Sequence, residues 1–209
     1  MNTPTVGIVD VGIANIGSIS RIISDLKVDV KHVRTAESLR EIDRLIFPGV
    51  GAFPAAMACL ELAGLNDAIR QFAKVKQYPV LGICLGMQLL ASVGEEFVVT
   101  SGLGLVEGHV QKMKESSSIR LPHIGWNEVV IQNESPLFEG IPDHSDFYFV
   151  HSYSFKPTSP ESWIATTTYG DQFCSAIQSG NVMGVQFHPE KSSSLGRLLL
   201  KNFCKGPLC

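Results

Sequence analysis

A cysteine framed by glycines, Gly82-Ile83-Cys84-Leu85-Gly86, is answered far downstream by His188-Pro189-Glu190. The first segment reads as a strand running into a tight turn that opens a helix. Such a turn lifts one side chain clear of the sheet, and glycines suit a backbone that is strained and closely approached. A free thiol, with a pKa near ~8.5, is only slightly ionised at neutral pH, and a helix start or a neighbouring imidazolium lowers that value. His188 supplies a base for the thiol. Glu190 lies two residues on and can fix the imidazole tautomer if the stiff Pro189 turn folds back. These three residue types together specify nucleophilic acyl chemistry.

Acyl transfer also needs hydrogen-bond donors for an oxyanion. The backbone N–H of Leu85, at the helix start, is one candidate. A second glycine-rich turn, Pro48-Gly49-Val50-Gly51, ends another strand, and the N–H of Val50 or of Gly51 is the candidate partner. Gln88 falls one helical turn after Cys84 on the same face, where it could hydrogen-bond a polar substrate.

The elements that must position these groups follow from the pattern of apolar runs. In the first half, Thr5–Val9, Val28–Val33, Arg44–Phe47 and Pro79–Ile83 read as strands. Ile16–Leu26, Asn66–Lys74 and Leu85–Ser92 read as helices. This alternation predicts an α/β fold with a mostly parallel sheet covered on both faces. Ligands in such sheets bind outside the carboxyl ends of the strands, where Cys84 and Pro48–Gly51 both fall. The second half reads as strands at Gly108–Met113, Glu128–Ile131, Asp146–Val150, Trp163–Thr168, Phe173–Gln178 and Val182–Phe187, separated by turn signals. Hairpins there predict an antiparallel portion of the sheet, and Ser194–Cys204 closes the chain as a helix. No linker divides the sequence, so residues 1–209 are expected to form a single domain.

Bulk properties exclude several classes. The 209 residues carry a formal net charge of −3, which gives no electrostatic case for nucleic acid or an anionic membrane. No apolar run reaches the ~18 residues of a transmembrane helix, and no basic stretch precedes the apolar N-terminal segment as a signal peptide requires. The cysteines Cys59, Cys84, Cys174, Cys204 and Cys209 form no Cys-x-x-Cys pair, so neither a zinc site nor a thioredoxin-like motif is expected. The pattern fits a reducing, cytoplasmic compartment. Apart from Cys84, each cysteine reads as a small buried hydrophobe or an idle thiol.

Gly82–Gln88 together with His188-Pro189-Glu190 resembles the class I (triad) glutamine amidotransferases. Asp10 to Ser18, Pro48–Gly51, Gly102–Leu105, Leu121–Asn127, Phe147–Tyr153 and His188–Ser192 extend the resemblance over essentially the whole chain. They point to the HisH branch, the glutaminase subunits of imidazole glycerol phosphate synthases. The triad specifies only the larger family, and Pro122-His123-Ile124-Gly125-Trp126-Asn127 is the sharper marker. The resemblance implies a three-layer fold, with Cys84 as nucleophile, His188 as base and then acid, and Glu190 as its orienting partner. It implies that Gly49, Gln88, Glu96 and the backbone at Ser152 and Tyr153 hold glutamine. No cofactor is implied. It implies a heterodimer with the HisF cyclase subunit, a (β/α)8 barrel, to which ammonia passes by a sheltered channel. Asn15, Pro122, His123, Trp126 and Lys191 would face that barrel. The early turn departs from the family pattern Asp-Tyr-Gly-x-Gly-Asn. Here Val11 replaces the tyrosine and Ala14 the second glycine, and Asn15 is kept. Another triad amidotransferase, such as the small subunit of anthranilate synthase, and a stand-alone thiol hydrolase of glutamyl substrates remain as rival readings.

Overall fold

The computed structural model describes residues 4–117 and 119–206; Cys209 lies outside them. In chain order the first half forms β1 (Thr5–Val9), α1 (Gly17–Asp25), β2 (Asp29–Val33), β3 (Arg44–Gly49), α2 (Phe53–Leu62), α3 (Asn66–Arg70), β4 (Val80–Cys84) and α4 (Leu85–Leu89). The second half forms β5 (Val93–Gly94), β6 (Thr100–Ser101), β7 (Gly108–Lys112), β8 (His123–Ile131), β9 (Ser145–His151), β10 (Tyr153–Pro157), β11 (Trp163–Tyr169), β12 (Asp171–Ser179), β13 (Val182–Val185) and α5 (Ser193–Lys205).

The main sheet has the order β2-β1-β3-β4-β13-β12-β11-β8-β9. Its first five strands run parallel. From β13 onward the neighbours are antiparallel. A smaller sheet, β10-β7-β5-β6, stands beside it. In β3, Leu45 and Phe47 enter one core while Ile46 enters the other, and all are fully buried. A strand whose two faces are both apolar needs cover on both sides. Helices α1 and α5 supply one cover through Ile19, Ile23, Leu199, Leu200 and Phe203. The other is α2 to α4, through Phe53, Leu60, Ile69 and Leu89.

This matches the expected fold class, with differences at particular elements. Helix α2 was not expected. Its core residues Phe53, Ala56, Met57 and Leu60 have helical spacing, but Leu62 is 89% exposed and blurs the apolar stripe. The helix expected over Leu85–Ser92 stops at Leu89, and that over Asn66–Lys74 passes into a wider π-helical turn at Gln71–Val75. The strand expected at Glu128–Ile131 starts at His123, because Gly125, with φ +133°, is accommodated inside it. Strand β10, unexpected from the sequence, follows β9 after a single residue and crosses to the smaller sheet.

Candidate active site

Cys84 sits at the last position of β4 with φ 55° and ψ −114°, a conformation that few non-glycine residues adopt. The strain therefore falls on the cysteine itself, and the flanking glycines serve close approach. A Cβ on Gly86 would lie 1.7 Å from the Phe47 carbonyl oxygen, and one on Gly82 would lie 2.7 Å from the backbone of Gly86 and Met87. The elbow is thus pressed onto β3, whose Gly49 pairs in register with Cys84.

His188 arrives from the adjacent strand. β13 pairs Val185 with Ile83, and the chain leaves the sheet at Gln186 to deliver His188 two residues later. The imidazole is 5% exposed. Its backbone is pinned by its own N–H donating to the Tyr148 carbonyl at 2.8 Å. Its carbonyl accepts from the Ser192 hydroxyl at 2.6 Å. His188 Nδ1 meets Glu190 Oε1 at 2.8 Å across the Pro189–Lys191 turn, which leaves Nε2 for the hydrogen bond with Cys84. Burial opposes a charge on this ring, yet the hydrogen bonds and charges of Cys84 and Glu190 outweigh it and raise the pKa to about 9. An imidazolium is therefore favoured beside the sulfur. By contrast, burial pushes Cys174 up and Cys204 up to about 12, so those thiols stay protonated.

A cleft of about 500 Å³ opens over Cys84, within the size range of small-molecule sites. Val50, Gly51, Leu85, Gln88, Glu96, Ser152, Tyr153 and His188 line it, so most of the residues expected to hold substrate share one cavity with the sulfur. Gln88, which could have been an exposed helix residue, is 5% exposed. Its Nε2 donates to the Tyr153 carbonyl at 2.9 Å and to Gln186 Oε1 at 2.9 Å. Glu96 also supports the fold, because its Oε2 accepts the Phe53 N–H at 2.7 Å and so caps α2, which has no cap of its own. The Val50 N–H, a candidate oxyanion donor, is engaged with the Ile13 carbonyl at 2.7 Å. The unusual early turn makes this contact with Gly12 alone at positive φ (82°), and Asn15 Oδ1 accepts the Gly17 N–H.

Around the mouth, Asn15, Pro122 and Lys191 are exposed, as are Val50 at 54%, Ile124 at 59% and Trp126 at 52%. Trp126 stands edge-on to Tyr148, whose ring also receives Lys191. His123 corrects the expectation placed on it. It is 2% exposed and faces the interior. His123 and Trp126 are three residues apart in one strand, and an odd separation puts them on opposite faces. On the inner face His123 pairs across with His151, their nitrogens 3.0 Å apart. Asn127 Nδ2 donates to His123 Nε2, and His151 Nδ1 meets the Tyr153 carbonyl at 2.9 Å. Desolvation lowers His123 to about 4 and His151 to about 3, so both rings are neutral. Neither His151 nor Gln186 was singled out from the sequence. The sequence signals are slight: His151 directly follows the run Phe147–Val150, and Gln186 interrupts the run Val182–Phe187.

A strained cysteine at a strand end, a buried imidazole and a carboxylate behind it, on this mixed sheet, define a class I glutamine amidotransferase. The chain belongs to that family, and residues 7–206 match Glutamine amidotransferase class-I. Among solved structures it resembles a glutamine amidotransferase with TM-score 0.73 at 20% identity, covering 94% of this chain and 97% of that one. A glutamine amidotransferase of Thermotoga maritima gives TM-score 0.69 at 20% identity over 91% and 77% of the two chains. Within the family the chain stands with the HisH subunits of imidazole glycerol phosphate synthase. It is 44% identical to that of Moorella thermoacetica over 198 residues, covering 95% of this chain and 93% of the relative. It is also 44% identical to that of Chlorobaculum tepidum over 199 residues, covering 95% and 98%.

Proposed function

We propose that the chain hydrolyses glutamine in the cytoplasm and passes the ammonia to a HisF cyclase subunit, a (β/α)8 barrel. The observation that carries the reading is Cys84 and His188 meeting in one cleft at an end of the sheet, with Glu190 behind the imidazole and Val50, Ile124 and Trp126 exposed around the mouth. The Cys84 thiolate attacks the side-chain carboxamide carbon of glutamine. The carbonyl electron pair moves to oxygen, and the Leu85 N–H is one donor for that oxyanion. The C–N bond then breaks, the leaving nitrogen takes its proton from His188, and a glutamyl thioester remains. Neutral His188 next removes a proton from water, whose oxygen displaces the sulfur to give glutamate. Glu190 holds the ring so that Nε2 exchanges both protons.

Gln88 has both N–H groups committed, so its Oε1 is left to accept from the substrate. Ammonia released into neutral water is protonated and no longer nucleophilic, so transfer requires a docked partner. The barrel would use it with PRFAR to form imidazole glycerol phosphate and AICAR. Asn15, Pro122, Val50, Trp126 and Lys191 form the surface offered to it. The Val50–Ile13 bond withholds one oxyanion donor, and docking over the exposed Val50 side chain is the event that would release it, leaving the free subunit nearly inactive.

Glutamate release, measured while the chain is titrated with the barrel subunit and its nucleotide ligand, tests this. The expected result is a rate near background for the chain alone and a large rise on complex formation. In the complex, Cys84→Ala abolishes glutamine-driven synthesis and leaves ammonia-driven synthesis intact. Full activity without the barrel would instead support a stand-alone hydrolase, and loss of both syntheses would end the division of labour.

A further inference from the structure

Gln186 is 0% exposed, one residue past the end of β13, and it bridges the substrate-holding Gln88 and the sulfur. Its Oε1 accepts from Gln88 Nε2 at 2.9 Å, and its Nε2 lies 3.7 Å from Cys84 Sγ. An amide can be placed either way round, but here the choice is forced from outside. The Tyr153 carbonyl only accepts, so Gln88 must present its NH2 to it. That same NH2 faces Gln186, whose near atom is therefore oxygen. The NH2 of Gln186 is then left pointing at the sulfur. The Tyr153 carbonyl is itself held by His151 Nδ1, whose tautomer is fixed in turn. Asn127 donates to His123 Nε2, so His123 donates from Nδ1 to His151 Nε2, and His151 donates from Nδ1.

The sulfur thus has three polar neighbours: the His188 ring, the Gln186 NH2 and the Val150 carbonyl at 3.7 Å. A thiol S–H can donate to that carbonyl. A thiolate has no proton to offer it and is served by the two donors. The geometry points to Gln186 as a further catalytic residue, whose carboxamide N–H stabilises the Cys84 thiolate and whose orientation is set by Gln88. This rests on the reading of Cys84 as the nucleophile. It goes beyond the triad in tying the glutamine-holding residue to the nucleophile by one hydrogen-bonded amide. A buried amide with no partner is costly, whereas an apolar side chain would fill the same space, so the committed hydrogen bonds are what give Gln186 its value here.

The test is the pH dependence of Cys84 alkylation by iodoacetamide in the full-length chain, with Gln186→Met and Gln186→Glu. The ionisable groups already around the sulfur are kept in both variants, His188 with Glu190 behind it, neutral His151, and Glu96, Lys112 and Lys191 around the cleft, and Gln186→Glu alone adds one, a carboxyl beside the sulfur. Loss of one net hydrogen bond predicts a roughly two- to tenfold slower reaction at neutral pH for Gln186→Met, with the midpoint moved to higher pH. Gln186→Glu keeps an acceptor for Gln88 and turns an oxygen toward the sulfur, so its midpoint moves further in the same direction. A residue with only a structural role would change stability or glutamine KM and leave the midpoint in place. Wild-type midpoints in both variants overturn the assignment. Failure of Cys84 to react selectively in the wild type would instead overturn the nucleophile itself.

Discussion

The buried pair His123 and His151 makes the fold sensitive to acid, and the size of the effect follows from their environment. Both rings are almost fully buried and neutral, with pKa values lowered to about 4 and about 3 by desolvation. Unfolded, each titrates near ~6.5. Above that pH neither state is protonated and there is no penalty. As the pH falls toward the folded values, only the unfolded chain takes up the protons, and stability drains away. At pH 5 each unfolded ring gains about 2 kcal/mol from protonation, against about 0.2 kcal/mol at pH 7, so the pair removes about 4 kcal/mol over that interval. His188 acts in the opposite sense. Its raised value, about 9, gives stability that is complete below ~6.5 and lost as pH rises through about 9.

To isolate the pair, urea unfolding is compared at pH 7, 6 and 5 for the wild type and for His123→Gln with His151→Gln. The contributions of His188 and the surface carboxylates are common to both proteins. The double variant is expected to start less stable at pH 7, because its relay is imperfect, yet to lose about 4 kcal/mol less on going to pH 5. Each single variant is expected to recover about half of that. Equal pH dependence in all four proteins would show that the rings take up protons in the folded state, and the directional relay drawn from their neutrality would fail with it.

Two further substitutions probe other parts of the molecule. Trp126→Ala removes a half-exposed aromatic from the rim and is expected to weaken binding of the barrel subunit by roughly tenfold or more, with little change in unfolding; unchanged affinity by titration calorimetry excludes an interface role. Gly86→Ala drives a methyl against the Phe47 carbonyl, where backbone faces backbone and no side chain can yield. It is expected to cost at least ~3 kcal/mol in urea unfolding, and wild-type stability would show that the elbow is not packed on β3 as described.

The parallel half of the fold was legible because each strand is a short apolar run and each helix follows in alternation. The triad residues were legible because their types and flanking glycines or proline are chemically specific. What escaped was set by faces and partners. His123 and Trp126 share one motif in the sequence, while the pleat puts them on opposite faces of β8. Gln186 carries little signal in the sequence, because an amide in an apolar run says nothing about its neighbours until β4, α4 and β10 are brought beside it. Helix α2 was missed because an exposed Leu62 hides an otherwise regular stripe. The Val50 N–H carries no signal in the sequence, since its present partner, the Ile13 carbonyl, lies in another loop.

The join between the two halves of the sheet explains why the site forms where it does. β4 and β13 run parallel, so their carboxyl ends lie at the same edge, and Cys84 and the segment leading to His188 emerge side by side. The neighbour of β13 on its other side, β12, is antiparallel. The polypeptide beyond β13 is fixed instead by β9, because Tyr148 accepts the His188 N–H and donates its own N–H to Ser192 Oγ at 3.0 Å. β9 is the same strand that carries His151 on its inner face and, through Tyr148, supports Trp126 and Lys191 outside. A displacement of β9 would therefore be felt at once by the imidazole of His188, by the Tyr153 carbonyl that orients Gln88, and by the exposed rim. Through β9 the rim that the proposed partner would cover is joined directly to His188 and to the Tyr153 carbonyl that orients Gln88.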